Sequence, residues 1–402
     1  MTAATGGVRA MSGAEGHEAL SCGELRTVLV VGAGLMGASA ALALRAGGVT
    51  TYLADRDAGA VRLAADLGAG REEPPPGPVD LAILAVPPDA VAGVLVDLQG
   101  KHTARAYTDL ASTKGHVQWA AAAAGADLSS FVGGHPMAGR ERSGAAAARS
   151  DLFDGRPWVL CPSDQTDRAA LALARRAAEL CGALPVVMDA EEHDRAVALV
   201  SHAPQLLASV MAARLEDADD AALALAGTGI RDVTRVAASH PELWRRILGT
   251  NAAAVADVVA AAADDLSRVA AELRQAGVRD PAESTAPGGV SVHHQDGREA
   301  SSLPATNDLL ARGRRGEARL PGKHGSAHVA YAVVPVVLPD RPGQLARLFT
   351  DAGAAGINIE DVRIEHSPGQ PVGLVELAVQ PAVADRLGRS LAERGWTVHP
   401  PR

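Results

Sequence analysis

The chain has 402 residues, a formal net charge of −9, and a composition that is 47% hydrophobic but only 2% aromatic. This length predicts two to three domains, with cores built mainly from Ala, Val and Leu. The acidic balance, with no basic block carrying interleaved aromatic residues, argues against a nucleic-acid partner.

Targeting signals and cysteine spacing narrow the class further. We find no run of the roughly 18 uncharged apolar residues that a membrane span needs, and residues 1–25 lack the apolar centre of a secretory signal. We therefore expect a cytoplasmic protein without a membrane partner. Cys22, Cys161 and Cys181 show no paired spacing, which argues against a disulfide framework or a zinc site, so no metal is expected.

The amino-terminal half alternates strands and helices. Residues 1–25 have no period and are predicted to be a disordered extension. Strands are then predicted at "TVLVVG", "TTYLA", "VDLAILAV" and "RAYTDL", with helices at 36–46, 57–67, 88–98 and 114–124. This alternation predicts a parallel sheet, so we expect an α/β fold with a Rossmann-type dinucleotide-binding domain over 26–188.

Three further segments follow. Residues 189–278 are almost entirely helical in pattern, with Gly227–Gly229 as the clearest interruption, and predict an all-helical substrate and dimerisation domain. Residues 279–328 are rich in Pro, Gly and Ser and predict a linker with one short helix at "NDLLARGRR", in which His293 and His294 are solvated. Residues 329–402 show a βαββαβ order, which predicts a ferredoxin-like α+β module.

A glycine motif marks a nucleotide site. Gly32, Gly34 and Gly37 form G-x-G-x-x-G directly after the first strand and open the first helix, together with Leu35 and Met36. The first glycine permits a tight turn, the second lets a pyrophosphate approach the backbone, and the third lets the helix pack on the strand.

The next two strand ends indicate which nucleotide binds. Asp55, at the end of the second strand, is placed to accept hydrogen bonds from an adenosine ribose and would repel a 2′-phosphate, which favours NAD. Arg56 could instead hold that phosphate, so NADP remains the less favoured alternative. Val86 and Pro87, after the third strand, are expected beneath the cofactor.

Two motifs bring chemistry to the same edge of the sheet. "DLASTKG" places Ser112 at the end of the fourth strand, and "GGHPMAGRERSG" places His135 at the end of the next. The carboxyl ends of parallel strands are where open α/β sheets bind ligands. Taken alone, a serine in the position of Ser112 is more often a helix cap than a catalytic group, and His135 could be a turn residue.

These motifs, together with "HDRAVALVSHAP" from His193 and "GIRDVTRVAASHPELWRRILGTN" from Gly229, resemble the prephenate/arogenate dehydrogenase family of tyrosine biosynthesis over about residues 27–275. The resemblance implies an NAD-dependent oxidative decarboxylation of prephenate to 4-hydroxyphenylpyruvate. It places His135 as the base for the substrate hydroxyl and Ser112 as its orienting partner. It also implies that Arg235 binds the substrate carboxylate that leaves as CO₂, with Arg231 nearby.

The helical motif poses a geometric question. His193 and His202 are nine residues apart, about 180° on a straight helix, so both cannot face one ligand. We favour Ser201, His202 and Gln205 for the substrate side. Family members often carry a second histidine where Gln205 stands, so side-chain recognition of the substrate stays open. Trp244 is expected either at the mouth of the site or in the helical core.

The carboxy-terminal motifs "DRPGQLARLF" and "GINIEDV" resemble an ACT domain, an amino-acid-sensing module. The resemblance implies tyrosine as an effector, held by Arg341, Pro342, Gly343 and Asn358, although a purely structural dimerisation module remains possible. A homodimer through the helical domain is expected.

Several alternatives stay open at this point. Arogenate, or an amino-substituted ring analogue, could replace prephenate as the small-molecule substrate. Another dehydrogenase acting on homoserine or a 2-hydroxy acid, or a non-catalytic NAD and amino-acid sensor, would share the domain order. The charges Arg140, Glu141 and Arg142 have no assigned role; Glu141 could pair with a neighbouring arginine, gate the pocket or be solvated.

Overall fold

The computed structural model describes residues 24–139, 144–277, 303–320, 331–366 and 372–401. These residues fall into two compact units. The first unit lies within Met1–Leu223 and Val233–Ala262, and the second within Ala224–Asp232 and Ala263–Arg402. The domain boundaries expected from the sequence stay predictions.

A seven-stranded sheet organises the first unit. Its strand order is β2-β1-β3-β4-β5-β6-β7, and only the β5–β6 pair is antiparallel. The strands are β1 (Thr27–Val31), β2 (Thr50–Ala54), β3 (Val79–Leu84), β4 (Ala104–Asp109), β5 (Phe131–Pro136), β6 (Pro157–Pro162) and β7 (Leu184–Val187). The predicted Rossmann-type sheet is therefore confirmed.

Helices cover both faces of this sheet. They are α1 (Leu35–Ala46), α2 (Ala58–Asp66), α3 (Pro88–Gly100), α4 (Gly115–Ala123) and α5 (Arg168–Leu180). Val28 and Val30 of β1 pack with α1, α2 and α5, whereas Leu29 between them packs with α3 and α4. Successive side chains of a strand point to opposite faces, so a sheet buried on both sides needs an unbroken apolar run such as β1.

A helical region follows the sheet, as predicted. Its elements are α6 (Ala190–Val197), a π turn (Ala198–His202), α7 (Ala203–Ala213), α8 (Asp220–Ala224), α9 (Thr228–Thr234), a 3-10 turn (Arg235–Ala238), α10 (Pro241–Thr250) and α11 (Ala252–Gly277). The helical pattern was expected to break at Gly227–Gly229, but α9 begins at Thr228 and contains Gly229, so the break ends before Thr228.

The stretch from α6 to α7 is not a straight α-helix. The π turn lies directly before Pro204, which has no N–H to donate to the carbonyl of Val200. The expectation that His193 and His202 occupy opposite sides of a regular helix is therefore wrong. A wider turn between them changes their relative orientation.

This stretch, Ala190–Ala213, is also long and apolar enough to cross a membrane by length and composition, with a mean hydropathy of 1.5. One such helix is weak evidence for a span, because core helices have the same composition. It carries the buried polar residues His193, Asp194 and His202. The absence of a membrane partner stays a prediction.

In the second unit, a helix occupies part of the predicted linker. This helix, α12 (Pro304–Glu317), is 14 residues long, longer than the short helix expected. The Glu272 carboxylate of α11 accepts the N–H groups of Ala305 and Thr306, both at 2.9 Å, and so caps the start of α12.

The carboxy-terminal residues form the predicted α+β module. Its elements are β8 (Ala332–Pro339), α13 (Gln344–Ala354), β9 (Asp361–His366), β10 (Val372–Val379), α14 (Pro381–Glu393) and β11 (Thr397–Val398). The antiparallel sheet has the order β11-β8-β10-β9. Alternate residues of β8 and β10 pack against the two helices, and the core is apolar: Val334, Val336, Val375 and Leu377 with Leu348 and Leu387.

Candidate active site

The glycine loop between β1 and α1 contains two glycines that the fold requires. Gly32 has φ +107°, and a Cβ there would lie 2.2 Å from the carbonyl oxygen of Ala85. A Cβ on Gly37 would lie 1.9 Å from the carbonyl oxygen of Gly32. At Gly34, by contrast, a Cβ would meet nothing within 4 Å. The fold therefore does not require glycine at position 34, but the missing side chain leaves open space next to the loop.

That open space lies at the start of α1, whose amino terminus has no side-chain cap. Uncapped N–H groups of Leu35, Met36 and Gly37 at a helix start suit a phosphate. A dinucleotide pyrophosphate thus fits this cradle, because Gly34 keeps it clear and no side chain competes for the N–H groups.

Asp55 supplies the neighbouring polar contact. Its carboxylate accepts the N–H of Ala33 at 2.7 Å and the N–H of Asp57 at 2.9 Å, so it is tied to the glycine loop. Each oxygen keeps further acceptor capacity for a ribose hydroxyl. Arg56 next to it is exposed, and Val86 and Pro87 follow β3 with partial and full exposure. Their contacts to a cofactor stay predictions.

A buried ion pair holds the ends of β4 and β5 together. Lys114 and Asp109 are both fully buried and bonded to each other. Lys114 Nζ also donates to the carbonyl of Gly134 at 2.7 Å, and Asp109 Oδ1 accepts the Gly134 N–H at 2.9 Å. The loop that carries Ser112 is thereby fastened to β5 one residue before His135. Ser112 itself is partly exposed.

The His135 ring lies at the end of β5 and is partly exposed. Its Nδ1 lies 2.9 Å from Nε2 of His193, with the rings edge to face. Burial lowers the pKa of His135 well below its usual range, and the nearby Lys114 ammonium lowers this pKa further. The ring is therefore neutral at pH 7 and able to accept a proton.

His193 connects this site to the start of α4. Its Nδ1 lies 2.8 Å from Oδ1 of Asp194. The same carboxylate accepts the backbone N–H of Lys114 at 2.8 Å and that of Gly115 at 2.8 Å. A carboxylate from the helical region thus caps α4 about 80 residues earlier in the chain.

His202 joins the same network through Asn251. The Asn251 amide nitrogen donates to the carbonyl of Asp194 at 2.8 Å and lies 3.1 Å from Nδ1 of His202. Burial lowers the pKa of His202 to about 4. Trp244 lies edge-on to this ring, with centroids 6.0 Å apart. His193 and His202 are thus linked through Asp194, and sequence reasoning missed His193, Asp194 and Asn251 as parts of one site.

The remaining predicted substrate residues are less closely grouped. Gln205 is 6% exposed. Ser201 is partly exposed in the π turn. Arg235 is exposed and begins the 3-10 turn that packs on α7, whereas Arg231 lies on α9 in the second unit, so the two do not share one regular helix.

Arg140, Glu141 and Arg142, with His293 and His294, lie outside the described residues. Within the described ranges, no group of three His, Cys, Asp or Glu side chains is arranged to hold a metal ion. Substrate-binding roles for Ser201, His202, Gln205, Arg231 and Arg235 stay predictions.

The glycine loop with an uncapped helix start, Asp55 beside it, and a neutral histidine at a nearby strand end define a class of protein: a Rossmann-type, dinucleotide-dependent enzyme with an acid–base site. Two family models identify which family of such enzymes the chain matches. "Prephenate dehydrogenase, nucleotide-binding domain" matches residues 40–187, and "Prephenate dehydrogenase, dimerization domain" matches residues 189–281.

A curated relative covers nearly the whole chain. It is named "Probable prephenate dehydrogenase NovF", from Streptomyces niveus, and is 41% identical over 374 residues, 92% of this chain and 99% of the relative. The chain belongs to the prephenate dehydrogenase family. The resemblance inferred from the motifs is thereby confirmed.

Solved structures agree with this fold. The prephenate dehydrogenase of A. aeolicus, in complex with hydroxyphenyl propionate and NAD+, is 28% identical with a TM-score of 0.57, covering 65% of this chain and 94% of that one. The Synechocystis arogenate dehydrogenase is 26% identical with a TM-score of 0.55, covering 72% and 99%. The nucleotide-binding domain and the expected cofactor, NAD, agree with these relatives. The resemblance of the carboxy-terminal module to an ACT domain stays a prediction.

Proposed function

We propose that this protein is a cytoplasmic, NAD-dependent prephenate dehydrogenase of tyrosine biosynthesis, which converts prephenate to 4-hydroxyphenylpyruvate and CO₂. The observation that carries the proposal is the neutral His135 ring, supported by His193 and braced to the Ser112 loop through Lys114 and Asp109. Family membership and the A. aeolicus complex support the cofactor and the reaction class.

The chemistry needs a base beside the cofactor. NAD, when bound, accepts the hydride from C4 of the ring. His135 takes the proton of the C4 hydroxyl, which becomes a carbonyl, and then the carboxylate at C1 leaves as CO₂ while its bonding electrons complete the aromatic ring. The same proton returns to the oxygen as the phenol forms, so His135 is unchanged at the end. Ser112 orients the hydroxyl, and Arg235 holds the departing carboxylate.

Arogenate is the second candidate, because a structural relative is an arogenate dehydrogenase. The two substrates differ only in a keto or an amino group on the side chain. Gln205 offers both an amide oxygen, which can accept from an ammonium group, and an amide nitrogen, which can donate to a keto acid. Its uncharged amide therefore fits either substrate, and kinetics must decide between them.

The direct test measures reduced-cofactor absorbance with prephenate or arogenate, each with NAD or NADP. We expect turnover with NAD and prephenate. His135→Asn should lower kcat by about 10²- to 10⁴-fold while the Kd for NAD is kept. His240→Asn, an exposed histidine at the start of α10, is the matched control and should retain turnover. Failure of both substrates with both cofactors would remove the proposal.

A homodimer through the helical domain is part of this proposal. The outer face of the π turn and α7 exposes Leu199 by 61%, Val200 by 60% and Val210 by 56%. Apolar exposure of this kind marks association surfaces, and the matching family model is a dimerization domain. Sedimentation should show a dimer, and Val210→Glu should shift it toward monomer; a monomeric wild-type protein would contradict this part.

Feedback control by tyrosine is proposed for the carboxy-terminal module. Gly343, with φ +83°, begins α13 without a side-chain cap, next to the exposed Arg341 and Pro342. The Asn358 amide donates to Glu360 at 2.8 Å and is exposed. Tyrosine should inhibit the wild-type enzyme, and Asn358→Ala should weaken inhibition while uninhibited turnover is kept. Unchanged turnover of wild type at saturating tyrosine would contradict it.

A further inference from the structure

A carboxylate fixes the hydrogen of the His193 ring. His193 is 1% exposed, and its Nδ1 lies 2.8 Å from Oδ1 of Asp194. Both oxygens of Asp194 also accept backbone N–H groups at the start of α4, from Lys114 on Oδ1 and Gly115 on Oδ2. A helix amino terminus favours an anion there, so Asp194 acts only as an acceptor. Nδ1 of His193 therefore carries the hydrogen.

The second ring nitrogen of His193 is then bare. With its one hydrogen on Nδ1, a neutral His193 ring presents Nε2 as an acceptor. Its neighbour at 2.9 Å is Nδ1 of His135, which must therefore donate. Because His135 is also neutral, its Nε2 is the nitrogen without a hydrogen. None of the described residues bonds this Nε2, and the ring is partly open to solvent.

We propose that His193 and Asp194 are positioning residues that hold His135 in the tautomer whose Nε2 accepts the hydroxyl proton of the substrate. This inference rests on the proposed function and deepens it by assigning the accepting atom and the two residues that select it. An isolated histidine side chain favours the opposite tautomer, with the hydrogen on Nε2. Without His193, most His135 rings would present a donor where the reaction needs an acceptor.

The same arrangement supports the ring after it takes the proton. His135 then carries hydrogens on both nitrogens, and its Nδ1–H continues to donate to His193. Hydrogen bonds from a charged donor are stronger than those from a neutral one, so this contact tightens as the charge develops. No proton needs to leave the pair, because the product oxygen takes it back.

Two His193 variants separate loss of the acceptor from loss of the ring. His193→Phe keeps an aromatic ring but removes both nitrogens. His193→Gln keeps an acceptor oxygen that can reach Nδ1 of His135. We expect His193→Phe to lower kcat by about 10- to 100-fold with little change in the KM for NAD, as for other orienting partners of a reactive histidine. His193→Gln should recover most of that loss.

His116→Phe is the matched control. His116 lies on α4, its ring is tilted against Trp119 with centroids 5.9 Å apart, and it has no place in the network. The same chemical change there should leave kcat unaltered. A loss of kcat in this control equal to that of His193→Phe would mean that the effect is not specific to the acceptor, which overturns the inference.

The tautomer itself is measured by ¹⁵N NMR of the full-length protein labelled at histidine, with the His135 signals assigned from their disappearance in His135→Asn. In the wild type we expect Nδ1 protonated and Nε2 bare at pH 7. In His193→Phe the hydrogen should move to Nε2, and in His193→Gln it should stay on Nδ1. A wild-type spectrum with Nδ1 bare, or wild-type kcat in His193→Phe, overturns the inference.

The spectrum of the wild type needs no substrate to turn over, and its assignment needs only that His135→Asn folds. If the protein reduces neither cofactor with prephenate or arogenate, the proposed function fails while the spectrum still decides the tautomer. If turnover is present and the tautomer is reversed, only the present inference fails. The two failures are therefore distinguishable.

Discussion

The two sheets of this protein bury different kinds of residue. In the first unit, the carboxyl edge of the seven-stranded sheet and its adjoining helices bury Lys114, Asp109, His193, Asp194 and His202. In the described part of the carboxy-terminal module, the four-stranded sheet and its two helices bury only apolar side chains, and ionic groups such as Asp351 of α13 with Arg394 stay partly exposed.

The difference shows where this chain tolerates an energetic cost. Burying a charge or a titratable ring is unfavourable unless every polar atom finds a partner. In the first unit, bonds that converge on Asp109 and Asp194 supply partners for the buried charges, whereas Thr108 Oγ1 and Trp158 Nε1 are buried without a partner. Around the strand ends that carry Ser112 and His135, the polar network therefore fixes the positions of side chains. The second sheet instead contributes a buried apolar core.

The largest expected effect comes from breaking the buried pair. Lys114→Met leaves Asp109 as a buried charge without its ammonium partner, which should destabilise the first unit by about 3 to 5 kcal/mol. Arg394→Met removes a partner of Asp351 on α13 of the carboxy-terminal module, at 3.4 Å and with Arg394 40% exposed, and should cost less than about 1 kcal/mol. Urea unfolding of both variants checks this. Equal losses of unfolding free energy in the two variants would contradict this difference between the two units.

A smaller effect should appear as a pH dependence. The His202 pKa is lowered to about 4 by burial, against about 6.5 in the unfolded chain, so the unfolded state binds more protons between these values. The stability associated with neutral His202 is complete above pH 6.5 and is lost as pH falls to about 4, by at most about 3 kcal/mol.

The measurement compares the free energy of unfolding at pH 7 and pH 4.5 in wild type, His202→Gln and His399→Gln. His202→Gln should reduce the dependence, whereas His399→Gln, an exposed histidine after the last strand of the second sheet, should leave it as in wild type. An undiminished slope in His202→Gln would contradict the argument.

The smallest effect concerns one glycine in each unit. Gly343 has φ +83°, so Gly343→Ala should cost about 1 kcal/mol from backbone strain, although nothing lies within 4 Å of the added methyl group. Gly34 has φ −76° and equally open space, so Gly34→Ala should leave stability nearly unchanged while weakening NAD binding. Calorimetric unfolding and NAD titration test both glycine variants. Unaltered NAD affinity in Gly34→Ala would contradict the proposed phosphate site at the start of α1.

Much of this architecture was predictable. The βαβ alternation, the glycine turn, the helical region and the βαββαβ order all depend on residues close together in the chain. The strand-end positions of Ser112 and His135 follow from the same rule, since the carboxyl ends of parallel strands share one edge. The π turn was not predicted, because periodicity treated Ala190–Ala213 as one regular helix and gave no weight to Pro204.

The sequence by itself therefore determined the fold class, the nucleotide cradle and the strand-end position of His135, because short-range patterns encode each of them. Only the tertiary structure decided how that histidine is held. The bonds from His135 to His193, from Lys114 to Asp194 and from Asn251 to Asp194 join residues 58, 80 and 57 positions apart. No local period specifies such distant partners, since they meet only when the helical region packs against the strand ends.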